Sequence, residues 1–217
     1  MKQETFWTRC SVDEIPGRWQ PLFWLYSYSV AAGFFLYYAI VSATSRVRIH
    51  GQEHLDRGRG YLFTCWHDRF PIYLATRPRH DGQVWMIFAA WYMKPMHILA
   101  CWSGVTELVY GATHHSGVEA AKILVGKLAP GRSTVFLPDG PFSRPRQVRK
   151  GLLHMARDSG LAIVPMKLQA SRELRLRTWD RKAVPLPFCR IELRYGPPIQ
   201  VTAVNTEALA ALEAALA

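Results

Sequence analysis

His67 is the strongest general-base candidate in the chain. It follows Tyr61-Leu62-Phe63-Thr64-Cys65-Trp66, an apolar run that reads as a strand, and it is followed directly by Asp68. Imidazole titrates near neutrality and can take a proton from a hydroxyl nucleophile at physiological pH. Two acids are candidates to serve it. Asp139 stands in Leu137-Pro138-Asp139-Gly140-Pro141, just past the buried-strand pattern Ser133-Thr134-Val135-Phe136-Leu137. That places it at a C-terminal strand edge, where open α/β sheets bind ligands. Asp139 can face the ring if its strand neighbours the one bearing His67. Asp68 can orient the ring only if the backbone turns sharply, because adjacent side chains on a strand diverge. The plainer roles are a strand-end histidine satisfied by backbone and an Asp-Gly turn.

Two further segments carry binding chemistry. Gly111-Ala112-Thr113-His114-His115-Ser116-Gly117 leads into a helical pattern and offers amides and hydroxyls at a helix N-terminus, suited to a phosphate or carboxylate. A simple capped loop fits it equally. Arg144, Arg146, Arg149 and Lys150 follow the Asp139-Gly140 turn. Such runs are usually solvated faces, yet four cations beside a candidate site edge also bind phosphate well. The Gly-x-Ser-x-Gly elbow, the Walker loop, the Rossmann glycine pattern and the His-Glu-x-x-His helix do not occur, so serine hydrolase, nucleotide hydrolase and zincin readings lose their main support. His67 and Asp68 with His97, His114 and His115 have the right chemistry for a metal, but their spacing is not diagnostic, and no metal is assigned.

These residues need a sheet to position them. Short apolar runs at Val47 to His50, Tyr61 to Trp66, Val84 to Ala89, Thr106 to Tyr110, Ser133 to Leu137, Ala162 to Leu168 and Arg190 to Tyr195 read as strands. Helical patterns at Pro71 to Arg77, Trp91 to Trp102, Gly117 to Leu128, Val148 to Asp158 and Thr206 to Ala217 alternate with them or follow them. That order predicts an α/β sheet with covering helices. Ser171 to Phe188, where four Arg and a Lys are interleaved with Trp179, Pro185 and Pro187, reads as an extended surface excursion of the kind that carries binding residues.

Composition bounds the partners. The 217 residues suit one domain with an appended helix, and 27 Lys+Arg against 16 Asp+Glu give a formal charge of +11. The surplus favours acidic carrier proteins, anionic headgroups and phosphorylated substrates. Nucleic acid would rest on charge alone, without a reader motif, and is not predicted. Cys10, Cys65, Cys101 and Cys189 have neither Cys-x-x-Cys nor zinc-ligand spacing and read as reduced thiols. No charge lies between Arg18 and Arg46, and the 20 residues from Leu22 to Val41 are nearly all apolar or aromatic. As a helix they would extend about 30 Å, roughly a bilayer's hydrocarbon core, so the segment either spans or lies in one leaflet. A cleaved signal peptide fits less well, because Glu4, Asp13 and Glu14 precede a run longer than a usual signal core. Arg46, Arg48, Arg57 and Arg59 follow it and predict that the rest faces the cytoplasm. The expected division is an N-terminal segment over 1–45 and an α/β domain over 46–217.

From about Tyr61 to Ile199 the sequence resembles the bacterial lysophospholipid-acyltransferase-like family, often labelled a domain of unknown function, whose members include late lipid A acyltransferases. The resembling blocks are Trp66-His67-Asp68-Arg69, Gly111 to Gly117 with Glu119-Ala120-Ala121, Pro138-Asp139-Gly140-Pro141 and Lys150-Gly151. They continue with Ala156-Arg157-Asp158-Ser159-Gly160, Ile163-Val164-Pro165, Thr178-Trp179-Asp180-Arg181 and Pro185-Leu186-Pro187-Phe188. The resemblance implies a glycerolipid acyltransferase-like fold, a mixed α/β sheet covered by helices with an N-terminal membrane-associating helix. It also implies acyl transfer from a thioester, acyl carrier protein or acyl-CoA, to the hydroxyl of a lysophospholipid or lipid A-type acceptor. The thioester is a co-substrate and no cofactor or metal is expected; the location implied is the cytoplasmic face of an inner membrane. His67 would be the base with Asp68 or Asp139 as the acid. Gly111, Thr113, His114, His115, Ser116, Gly140, Arg144, Arg146 and Lys150 would bind substrate.

The chain also departs from the pattern. The broader superfamily pairs its histidine with an Asp in His-x-x-x-x-Asp, and here Ile72 stands where that acid is expected. Phe88 to Pro95 lacks the polar pattern of close relatives, and Tyr110 precedes Gly111 where an Arg is usual. Two alternatives therefore stand beside the transferase: a non-catalytic lipid-binding protein of the same fold, and a metal-dependent phosphohydrolase using His67 and Asp68.

Overall fold

The computed structural model describes residues 11–77, 80–111, 117–128, 131–140 and 144–217. At the centre of the sheet lies β2 (Leu62–Thr64), a short apolar strand parallel to both β5 (Thr134–Phe136) and β6 (Ile163–Ala170). Beyond β6 come antiparallel β9 (Arg190–Tyr195) and then β1 (Arg46–His50), parallel to β9. On the other side, β3 (Val84–Ile87) pairs in parallel with β4 (Glu107–Tyr110), and the Val84 amide donates to the Ser133 carbonyl at 3.1 Å, setting β3 beside β5. The sheet is mixed, as expected, and every strand read from the sequence is present.

Two apolar cores lie on the two faces. Leu62 and Trp66 point into one, with Leu124 of α4 (Gly117–Lys127), Leu152, Leu153 and Met155 of α5 (Lys150–Ser159), and Leu212 and Leu216 of α6 (Thr206–Leu216). Cys65, Met166, Ile191 and Leu193 point into the other, where Ile72 to Ala75 of α2 (Phe70–Ala75) and Leu99 and Ala100 of α3 (Lys94–Trp102) cover them. Ile72 is fully buried. An acid there would lose its hydration, and the position is given over to core packing.

The apolar N-terminal segment is α1 (Gln20–Thr44), with Pro21 in its first turn, where a missing N–H is harmless. Phe23, Ser27, Ala31, Tyr38 and Val41 form its buried stripe, at the spacing of a helix face. That stripe packs on α3 and α2. Leu22, Leu25, Tyr28, Leu36 and Ile40 remain exposed. By length and composition Gly17–Thr44 could cross a membrane.

The excursion between β6 and β9 contains more order than its composition predicts. β7 (Glu173–Arg175) and β8 (Ala183–Pro185) form an antiparallel hairpin, with Leu174 opposite Val184. The alternation Glu173-Leu174-Arg175-Leu176 gives the strand its two faces.

Gly60 fixes the approach of β2 to β5. A Cβ there would stand 2.1 Å from the Arg132 carbonyl oxygen. Gly60→Ala is therefore expected to lower stability by about 1–3 kcal/mol through overpacking, read as a fall in the denaturant midpoint at unchanged slope.

Candidate active site

The register of the central strands builds the site. Leu62, Phe63 and Thr64 pair with Thr134, Val135 and Phe136. Three residues beyond each strand, His67 and Asp139 meet: the His67 backbone N–H donates to Asp139 Oδ1 at 3.0 Å. Asp139 Oδ2 accepts from the backbone N–H of Arg146, also at 3.0 Å. The side chain of Asp139 thus braces two backbones and leaves the imidazole to another acid. Burial pushes its carboxyl up, against the pull of the amides of Arg146 and His67, and the net shift is upward.

That other acid is Asp180, on the turn joining β7 to β8. Its Oδ2 lies 2.5 Å from His67 Nδ1 and 2.5 Å from Lys182 Nζ, while Oδ1 accepts from the Thr178 hydroxyl at 2.7 Å. Burial pushes the Asp180 carboxyl up, but the hydrogen bonds from His67, Lys182 and Thr178 outweigh it and hold the group well below the usual carboxylate range. An ionised acceptor at this distance favours the tautomer with its proton on Nδ1 and its lone pair on Nε2, the form that can act as a base. Lys182 Nζ stands 2.7 Å from Nδ1, and both nitrogens turn to the same carboxylate oxygen. The Trp179 ring lies against His67, centroids 5.2 Å apart.

Asp68 is carried away from the ring by a single turn of 3-10 helix, His67–Arg69. It is buried, and its Oδ2 accepts from Arg146 Nη2 at 2.9 Å and Arg175 Nη1 at 3.1 Å, with Arg69 Nε at 3.5 Å. Arg69 and Arg175 also pair with Glu173. A cavity of about 350 Å³ opens here, lined by Asp68, Pro145, Arg146, Arg175, Trp179, Asp180 and Arg181. An imidazole poised as a base beside a cationic pocket can deprotonate a hydroxyl on an anionic molecule.

Of the residues expected to bind substrate, Arg146 joins this cavity. Gly140 forms the turn after β5 at φ +44°. Arg144 and Lys150 are exposed on the following segment. The Gly111 amide donates to the Ile87 carbonyl at 3.0 Å, extending the pairing of β3 with β4. Thr113, His114, His115 and Ser116 lie outside the described residues. His97, drawn as a conceivable metal ligand, is buried in α3 and its Nε2 is 2.9 Å from the Phe88 carbonyl. Among the described residues, no three His, Cys, Asp or Glu side chains are grouped to hold a metal.

Sequence reasoning did not assign a role to Asp180, Arg175 or Lys182. One signal was present: Asp180 is the single acid between Glu173 and Glu192, in a stretch otherwise cationic and apolar.

No family model matches the chain. It is 26% identical over 172 residues to an uncharacterized protein of Rickettsia prowazekii (strain Madrid E), covering 77% of this chain and 78% of the relative. Among solved structures it is similar to the 1-acyl-sn-glycerophosphate (LPA) acyltransferase PlsC from Thermotoga maritima. The TM-score is 0.55 at 14% identity, over 92% of this chain and 86% of that one. The fold is therefore that of a PlsC-like acyltransferase.

Removing the Asp139 brace should cost more than a surface acid would. Asp139→Ala leaves two N–H groups without an acceptor and is expected to destabilise by about 2–4 kcal/mol in denaturant unfolding. The depressed Asp180 carboxyl stabilises the fold fully above the ordinary carboxylate value, and that contribution is lost as pH falls below it. Wild type should accordingly lose stability more steeply than Asp180→Asn below about pH 4, measured by guanidinium unfolding across pH 3–6.

Proposed function

We propose that the protein is a membrane-associated O-acyltransferase, moving a fatty acyl group from a thioester donor to the hydroxyl of a lysophospholipid or lipid A-type acceptor. The observation that carries this reading is the His67–Asp180 pair, whose acid lines a cationic cavity, in a fold similar to that of PlsC. His67 Nε2 takes the proton of the acceptor hydroxyl as its oxygen attacks the thioester carbonyl. The C–S bond breaks as the tetrahedral intermediate collapses, and the imidazolium returns its proton to the departing thiolate. Asp180 holds the ring in the basic tautomer and offsets the charge it gains.

Arg146, Arg175 and Arg181 line the cavity and would hold the acceptor's phosphate or the donor's phosphopantetheine, with Arg144 and Lys150 extending the cationic approach. The donor is acyl carrier protein or acyl-CoA, and the surplus positive charge would attract either. No step needs a metal or a cofactor beyond the thioester. With its exposed apolar face, α1 would seat the protein on the cytoplasmic face of an inner membrane. A lipid-binding protein without chemistry is the second reading, motivated by Ile72; Asp180 weighs against it, because an acid does stand on the ring.

The test is to incubate detergent-solubilised protein with labelled acyl donors and a membrane lipid extract and to follow labelled lipid by mass spectrometry. His67→Ala should lose about 10²–10⁴ in rate. Asp180→Asn, which favours the wrong tautomer, should lower kcat by a comparable about 10²–10⁴ with KM little changed. Folded wild-type protein that acylates nothing with either donor would leave the lipid-binding reading.

A further inference from the structure

The β7–β8 hairpin has a use for its outer face. Period-two alternation puts Leu174 and Leu176 on the side opposite Glu173 and Arg175. Glu173 and Arg175 turn inward, to Arg69 and Asp68. The leucines turn out, 54% and 36% exposed. Just past β8, Phe188 is 74% exposed and holds φ +59°, a left-handed conformation that is costly for a bulky side chain. That backbone, at the foot of the hairpin, presents an aromatic ring to the outside. Arg172 and Arg177 flank the leucines and are exposed.

This patch is joined to α1, whose other face is exposed and apolar. The Tyr37 hydroxyl donates to the Pro185 carbonyl at 2.8 Å, tying the helix to β8, and the Phe188 amide donates to the Thr44 hydroxyl at 3.4 Å at the helix end. Apolar side chains fringed by arginines and joined to an apolar helix fit a lipid surface carrying negative headgroups.

We infer that the outer face of the β7–β8 hairpin, with Phe188, is a second membrane-docking surface that inserts Leu174, Leu176 and Phe188 into an anionic bilayer beside α1. This rests on the proposed membrane association but not on the acyl-transfer chemistry. The same hairpin bears Asp180, so docking brings the acid of the candidate dyad to the lipid surface.

The test uses the full-length chain with Cys10 and Cys101 replaced by serine, labelled with an environment-sensitive fluorophore at one introduced cysteine. The vesicles contain phosphatidylglycerol and phosphatidylcholine, with nitroxide-bearing lipids as quenchers. Labels at Leu174→Cys and at Leu25→Cys on α1 should both be quenched by shallow acyl-chain nitroxides, and a label at Ala211→Cys on α6 should not. Quenching at position 25 without quenching at 174 overturns the proposal while leaving membrane association intact; quenching at neither overturns both. A label at 174 that is shielded from solvent yet unquenched by lipid assigns the face to a second copy of the chain and overturns it too. Independently, Leu174→Glu with Leu176→Glu should reduce partitioning onto these vesicles by about tenfold or more, and Ile123→Glu on α4, an equally exposed apolar position, should leave it unchanged; equal partitioning of all three overturns the proposal.

Discussion

A carboxylate sealed from water must find its hydrogen bonds inside the protein, and Asp139 finds two in the peptide N–H groups of His67 and Arg146. Those bonds join the ends of β2 and β5 to the arginine-bearing segment that follows. The position of the imidazole, the path of the chain to α5 and the reach of the Arg146 guanidinium toward Asp68 all depend on them. Burial raises the energy of the charged form, so the brace works only while both amides point at it. The parallel register of β2 with β5 is what aims them.

Around this brace the site sorts its charges by partner. Asp68 and Glu173 occupy Arg69, Arg146 and Arg175, while Asp180 takes His67 and Lys182. Three acids thus hold three arginines, a lysine and a histidine. The cations keep fixed directions without being fully neutralised, which is the condition for binding an anion without first reorganising. Arg146 is half exposed while its guanidinium is tethered to a buried acid, a geometry that leaves donors facing the cavity.

Much of this frame was legible in the sequence. The apolar runs before His67 and Asp139 marked two strand ends, and the turn chemistry put both at one edge. Their adjacency was left open by the pattern and comes from the pairing of β2 with β5, and so do the atoms in contact: a side chain that bonds a neighbour's backbone has the same sequence signature as one that bonds its ring. Asp180 was harder to find, because 113 residues separate it from His67 and no local period links them. Its hairpin is short, and its alternation of leucine and arginine lies in a stretch whose cations and prolines read as open loop. Ile72 was a cleaner signal, since an apolar residue where the resemblance places an acid left the ring's partner unassigned.

Because among the described residues β1 pairs with β9 alone, and Asp180 lies just before β9, the first strand of the sheet is closed late. A chain leaving the ribosome would expose His67 and the central strand long before residue 180 emerged. Contacts of such long sequence separation form slowly and only after much of the chain is available. A truncated or stalled product ending before the hairpin would therefore carry His67 without the carboxylate that meets its Nδ1.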